Sequence, residues 1–381
     1  MELSRHFHPL PKEAYENSGQ WGAISQYHTA AEEEFPSINN KKIALFSVEE
    51  NPTPSQTSLS IRKYLSFLSP LSAERLAADL GIISPLPEKN ETATGPAFFQ
   101  RIAAIIEELY YRGIKPIMLS QGKDQAFSLA GRGSTFANQL RLSVLEPFPS
   151  FTDAAEEESR GLLNHYFEQE LFGFAYLGFG IQEYLTQPAV KKALEAKGSE
   201  MFHAGELRSD LAWHEPWIRW SHGVSVDLSV VRSSDSPYGA FSSPAGLHSE
   251  ELCQLIWYAG MNENNRFLSF HNWREAEDSE NPSAFLTAMA IWYFLKGVSQ
   301  LPGEDPLQSP EKFYHYMVNF DKQGSTQKFF KSKTTNRWWM SHLLNINDQV
   351  NITEVFPCSY RDYQMAAYKE IPDRYWRMIL N

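Results

Sequence analysis

The sequence predicts a three-layer α/β/α fold on a mainly parallel sheet. Two observations carry this. Residues 95–130 read as helix, strand and helix, the rhythm of a β-α-β unit. Several other short apolar runs, each followed by a polar loop, have the length and flanks of buried parallel strands.

The β-α-β unit is the clearest stretch. Ala103, Ile106, Leu109 and Tyr110 recur at helical spacing, and Ile102 and Ile105 widen the stripe. Gly113 fits the C′ position that ends such a helix. "KPIMLS" is then a buried strand, "QGKDQ" its carboxyl-end loop, and Asp124 to Ala130 a second helix, with Asp124 suited to capping it. Upstream, "KKIALFSVEEN" is a strand stopped by a loop holding Pro52 and Pro54, and "SLSIRKYLSFL" is helical. Downstream, strands are expected in Leu140–Glu146, Phe172–Gly180, Gly223–Val231 and Arg266–Trp273, then a helix over Ser283–Gly297 ending at its glycine. Residues 1–40 read as an N-terminal extension packed on this domain, which occupies 41–300. After the Pro-rich break at Ser299–Lys312, residues 301–381 read as an aromatic, basic appendage docked on the same domain.

Composition narrows the function. The chain has 381 residues, 42% hydrophobic and 21% charged, which suits a globular protein rather than a disordered one. A net charge of -12 argues against a general binder of nucleic acid, which needs basic surface. No window has about 18 uninterrupted apolar residues, so no membrane span is expected. The N-terminus lacks the apolar stretch of a signal peptide. Cys253 and Cys358 make neither a disulfide framework nor a zinc site, and a reducing cytoplasm is the expected compartment.

In open parallel sheets chemistry gathers in loops at the carboxyl ends of strands. The loops of interest are therefore Gln121–Gln125, Glu146–Asp153, Asp227–Pro237 and His271–Glu275. Their residues, with "LAADLGIISP", "GIKPIMLSQGKDQAF", "FGFAYLGFGIQEYL", "SVDLS" and "GLHSEELCQLIWYAG" in that order, resemble the ureohydrolases (arginase, agmatinase and formimidoylglutamase), and the formimidoylglutamase-like branch most. The resemblance runs from about Ile43 to Gly297, and the C-terminal segment falls outside it.

The resemblance implies an arginase-like fold and two manganese ions that activate a bridging water against a guanidinium or formimino carbon. Such ions want carboxylate oxygens and imidazole from several strand ends. The matching positions depart from that set. Lys123 stands at the histidine of the glycine loop, and an ammonium cannot coordinate a metal. In "LEPFPS", Glu146 stands at the first acid, but Phe148 and Ser150 replace a histidine and the second acid. In "SVDLS", Asp227 keeps the first acid and Ser229 replaces the second. At the last motif the residue nearest the strand-end glutamate is His271, next to Asn272. One or two carboxylates do not balance about four positive charges.

The expectation is therefore a degenerate site at Lys123, Glu146, Asp227, Ser229 and His271, with no cofactor. In the first reading the chain is catalytically inactive and acts in binding or assembly, with a Lys123–Asp227 contact replacing the metal. In the alternative reading it is a C–N hydrolase of the formimidoylglutamase/arginase type, acting on a linear amidine or guanidino compound, with an altered or metal-free site, manganese being the metal if one is bound. Against the lysine pairing stands a plainer role for Asp227, capping a turn.

Asp235 reads as a solvated turn carboxylate, Ser249 as the N-cap of a helix beside His248, and His271 as a satisfied polar histidine. Cys253 reads as core. A homo-oligomer is compatible with the resemblance. Trp338, Trp339, Tyr375 and Trp376, beside arginines, are the candidate protein-binding residues.

Overall fold

The computed structural model describes residues 2–15, 24, 26–30, 35–71, 76–86, 89, 91–93, 95–122, 140–149, 175–275, 280–319, 325–345 and 354–380. Among them, nine strands form one sheet: β1 (Gln26–Tyr27), β2 (Ile43–Val48), β3 (Ala77–Ile83), β4 (Lys115–Ser120), β5 (Arg141–Leu145), β6 (Ala175–Ile181), β7 (Glu200–His203), β8 (Gly223–Asp227) and β9 (Leu268–His271). Their order is β1-β3-β2-β4-β9-β8-β5-β6-β7, and every pairing between these strands is parallel. With helices on both faces this is the expected arginase-like α/β/α architecture.

The three layers follow from a period of two along each strand. On β2, Ile43 and Leu45 join one core while Ala44, Phe46 and Val48 join the other. β4 divides in the same way, with Ile117 and Leu119 against Met118. The first core is covered by α1 (Gln56–Phe67), α5 (Leu211–Trp220), α6 (Ser249–Gly260) and α7 (Pro282–Ser299). The second is covered by α2 (Pro96–Tyr111) and α3 (Pro188–Ala196). A short helix, α4 (Ala204–Ser209), follows β7. The strands read from sequence are present, with β6 running from Ala175. The helix expected over Asp124 to Ala130 lies outside the described residues. No described helix is long and apolar enough to cross a membrane.

Several details differ from the sequence reading. Strand β8 ends at Asp227, where a short helical turn follows, rather than running to Val231. Helix α7 does not stop at Gly297 but runs on to Ser299. Gly297 instead lets two helices touch. A Cβ there would stand 2.5 Å from the Trp257 carbonyl oxygen, and one on Gly260 would stand 2.3 Å from the Phe294 carbonyl oxygen. Helix α6 starts one residue earlier than expected. Its N-cap is His248, whose N–H is held by the Glu251 carboxylate at 2.8 Å, and Ser249 is the first helical residue.

The edge of the sheet near β3 holds a buried ionic cluster. The Arg62 guanidinium grips Asp79 through Nε at 2.7 Å and Nη2 at 3.2 Å, and both side chains are fully buried. Tyr15, from the N-terminal residues, donates its hydroxyl to Asp79 at 2.5 Å. Burial, and after it the Asp79 charge, push the Tyr15 hydroxyl well above its ordinary pKa, so it stays a donor. His8 bridges Ile82, which ties the same extension to β3.

The C-terminal residues form a second, antiparallel sheet of β10 (Phe313–Asn319), β11 (Ser325–Ser332), β12 (Trp338–Asn345) and β13 (Val355–Cys358), followed by α8 (Tyr360–Ala367) and α9 (Asp373–Leu380). Phe329, Trp338, Met340, Phe356 and Met378 belong to the same hydrophobic cluster as α5 and α6. Arg219 of α5 donates to the carbonyls of Trp338 and Cys358, and Arg374 of α9 donates to that of Trp213.

Candidate functional site

Four strand ends lie side by side at the carboxyl edge of the main sheet. Ser120 of β4 is in register with His271 of β9, His271 with Asp227 of β8, and Val226 with Leu145 of β5. The parallel register therefore puts Glu146, Asp227 and the residues after His271 at one level. Alternation along the strand is consistent with this: Val224 and Val226 point into the first core, so Ser225 and Asp227 face the opposite side of the sheet.

Asp227 is buried, and both carboxylate oxygens are engaged. Oδ1 accepts the Ser229 N–H at 2.7 Å, capping the turn Leu228–Val230. Oδ2 accepts the Asn272 side-chain amide at 2.7 Å. Asn272 has φ 64°, a left-handed conformation that asparagine tolerates better than most residues. That conformation turns its side chain to Asp227 while its N–H bonds the Gly122 carbonyl. The Trp273 N–H bonds the Gln121 carbonyl, so the glycine loop is stitched to the end of β9.

From the end of β9, then, Asn272 is the residue that meets Asp227. His271 points elsewhere, with Nε2 3.0 Å from the Ser225 hydroxyl. Ser229 is buried, and its hydroxyl accepts the Phe241 N–H at 2.9 Å. Glu146 is buried and accepts the Tyr176 hydroxyl at 2.5 Å. Burial, then the Glu146 charge, hold that hydroxyl protonated well above its usual pKa. Phe148 packs edge-on to Phe241 with 5.6 Å between ring centres. Lys123 and Ser150 lie outside the described residues, and so does the expected Lys123–Asp227 contact. Asp227 carries the turn-capping role that was its plainer reading.

A dimanganese centre asks for several carboxylates and imidazoles facing one space. Among the described residues no group of three or more His, Cys, Asp or Glu could hold a metal ion. The two carboxylates at the strand ends spend lone pairs on Tyr176, Ser229 and Asn272. These residues do not fit the metal pair that the fold implies.

Beside this centre a cleft of about 680 Å³ opens over the ends of β2 and β4, lined among others by Glu49, Ser55, Phe98, Gln121 and Trp273. The Glu49 carboxyl accepts the Ser55 N–H at 3.2 Å. Burial pushes its pKa up to about 7, against the pull of Ser55 and Arg62. Trp273 is 3% exposed, and its indole N–H has no acceptor among the described residues. From sequence, Glu49 was only part of a polar loop. The available signal was its position, an acid directly after the last residue of a strand.

Asp235 is not a solvated turn carboxylate. It holds the start of α6 by accepting the N–H and hydroxyl of Ser249 at 3.1 and 3.0 Å, and it pairs with Arg232 at 2.7 Å. Burial would raise its pKa, but these donors together bring it down to about 2. Of the aromatic residues in the C-terminal segment, Trp338, Trp339 and Tyr375 are buried and pack within the chain. Trp376 stands 47% exposed.

No protein-family model and no curated protein matches the chain. Solved structures do. Formimidoylglutamase from Bacillus subtilis superposes with a TM-score of 0.58 at 16% identity, over 73% of this chain and 91% of that one. An arginase superfamily protein from Trypanosoma cruzi gives 0.58 at 13% identity, over 70% and 96%. The agmatine ureohydrolase of Thermoplasma volcanium gives 0.55 at 14% identity, over 70% and 92%. At these identities the likeness establishes the arginase/ureohydrolase fold, and fold alone does not carry an activity.

Proposed function

We propose that this chain is a ureohydrolase-fold protein whose dimanganese centre has been replaced by hydrogen bonds, and that it works by binding or assembly rather than by hydrolysis. One observation carries the proposal: both oxygens of Asp227 are taken by protein donors, the Ser229 N–H and the Asn272 amide. A metal-ligating carboxylate can also accept hydrogen bonds, but it shares its ion with further carboxylates or imidazoles, and among the described residues no group of three such side chains stands ready to hold one. Here an uncharged amide supplies the compensation that a buried carboxylate needs. Phe148 and Ser229, both turned to local packing or loop bonds, support the same reading. Assembly with itself or with another protein is the form of action proposed. The buried, free Cys253 and Cys358 suit a reducing cytoplasm.

The test is metal content with turnover. Purified protein is expected to carry substoichiometric manganese and to leave arginine, agmatine and formiminoglutamate intact in manganese-supplemented buffer. Stoichiometric manganese with release of urea or formamide would overturn the proposal.

A second reading, a metal-free C–N hydrolase, has one observation in its favour. Glu49 lies in the adjoining cleft with a pKa of about 7, where a general acid–base works best near neutral pH. Turnover without metal that is abolished by Glu49→Gln would establish this reading instead.

A further inference from the structure

The two edges of the C-terminal sheet are built differently. β13 is four residues long, includes Pro357, and is followed after one residue by α8. The edge strands of the main sheet are short too, two residues in β1 and four in β7. Short edges and proline are common devices that keep a sheet from pairing with another chain, and edge lysines are a third. β10 uses none of them. It has seven residues, with no proline and no Lys, Arg, Asp or Glu. Its pairing with β11 is continuous, without a bulge, and the lysines Lys328 and Lys331 stand on β11 instead.

The hydrogen-bond pattern shows which backbone groups of β10 face outward. The Lys333 N–H bonds the Lys312 carbonyl, so by alternation Tyr314, Tyr316 and Val318 exchange bonds with β11. The Phe313 N–H turns back to the Pro310 carbonyl. The N–H and C=O groups of His315, Met317 and Asn319 then point away from the sheet, and among the described residues no strand pairs with them. The side chains around them do not close the edge over, since Tyr314 is 53% and Met317 65% exposed.

An open row of backbone donors and acceptors is completed by another extended strand. A second copy of β10 fits. Set antiparallel about a two-fold axis at Tyr316, His315 exchanges both its backbone bonds with the partner's Met317, and Tyr314 lies across from the partner's Val318. These are aromatic and apolar cross-strand pairs with no like charges opposed. A strand without charge gives a charged peptide nothing to pair with. The two-fold pairing also uses up both open edges, so the assembly closes and leaves only the proline-bearing β13 at each end. Two strands of this length bury less than a standard interface of about 1,200–2,000 Å², so the dimer is expected to be reversible.

We propose that two copies of the chain pair through β10, antiparallel about Tyr316, to join their C-terminal sheets into one. The pairing rests on the assembly reading, for which it supplies the surface, and the two fail separately. A manganese-loaded, active dimer overturns the assembly reading alone. An inactive, metal-free monomer overturns the pairing alone.

The test is sedimentation velocity of the full chain across the micromolar range, with manganese and turnover measured on the same samples. A reversible dimer is expected. Met317→Lys puts a charge at an exposed position beside the axis. Met317→Pro removes an N–H that only the pairing uses. Each should raise the dissociation constant tenfold or more with the far-UV circular dichroism unchanged, and Met317→Lys serves if the proline variant does not fold. Tyr316→Cys places the two introduced thiols across the axis in a non-hydrogen-bonded pair, with Cα atoms about 4.5 Å apart, so a mild oxidant should link the chains. The native Cys253 and Cys358 are buried and do not compete. A monomer at every concentration overturns the proposal, whether or not it captures another protein. So does a dimer that Met317→Lys does not weaken, and so does one that Tyr316→Cys does not link.

Discussion

The Asp227–Asn272 pair makes the sharpest prediction about the strand-end centre. The amide donates to the carboxylate at 2.7 Å, and the other carboxylate oxygen holds the Ser229 N–H. Asn272→Asp replaces that donor with a second carboxylate at nearly the same distance. Two unit charges about 4 Å apart repel by about 4 kcal/mol at an effective dielectric of 20, and partial protonation lowers the observed cost to about 2–3 kcal/mol. Asp227→Asn sets one NH2 group against another, or against the Ser229 N–H, and should cost about 1–3 kcal/mol. The double variant Asp227→Asn/Asn272→Asp exchanges donor and acceptor and should recover most of the loss, with a coupling of about 1–3 kcal/mol. Urea unfolding with linear extrapolation measures all four proteins. Manganese should stabilise Asn272→Asp, which gains a second anion beside Asp227, and leave the native chain unchanged. Two results would refute the reasoning: a double variant no better than its parents, or a native chain that manganese stabilises as much as Asn272→Asp.

Three further outcomes follow from the same geometry. Glu49 is held up at about 7 against an ordinary 4.5, so the folded state binds the extra proton, and stability from this group falls as pH rises from 4.5 through 7. Glu49→Gln should therefore exceed the native chain by about 1–3 kcal/mol at pH 8, after allowance for partial solvent screening, and match it near pH 4.5. Asp79→Ala strands the fully buried Arg62 and should cost about 3–5 kcal/mol, whereas Arg62→Met/Asp79→Leu should recover most of that in urea unfolding. Gly297→Ala drives a methyl against the Trp257 carbonyl at the α6–α7 contact and should lower stability by about 1–3 kcal/mol, read from the thermal midpoint.

What the sequence made legible was the part of the fold that depends on local pattern. Runs such as Ile43–Val48 and Lys115–Ser120 are apolar because both faces of their sheet are covered, and α2 shows its stripe because one face is not. The four-stranded C-terminal sheet was not legible. Its edge strand β10 has residues such as Tyr314 and Met317 exposed, so apolar content there does not mark the inside. Nor was the Tyr15–Asp79–Arg62 cluster, because Tyr15 and Asp79 are 64 residues apart and meet only once the chain has closed on β3. Gly297 misled because a glycine near a helix end fits a cap and a helix crossing equally well, and only the partner helix decides.

The centre shows the same limit more strongly. Glu146 follows the end of β5 and Asp227 ends β8, whereas Ser229, read within a strand running to Val231, lies in the turn after β8. Sequence pointed to His271 at the end of β9, because a histidine looks more like chemistry than an asparagine does. Backbone geometry decides otherwise. His271 is still within β9 and bonds across to Ser225, whereas Asn272 has left the strand with a positive φ and so turns its amide to Asp227. The proposed exchange of a metal for hydrogen-bond donors has a physical logic. A carboxylate buried at 5% exposure needs compensation from a cation or from donors. Asn272 and the Ser229 N–H supply donors without adding charge, so Asp227 can be kept for the turn it caps. On the proposed reading, Asp227 is kept for the turn it caps, and Asn272 supplies the compensation that a cation would otherwise give.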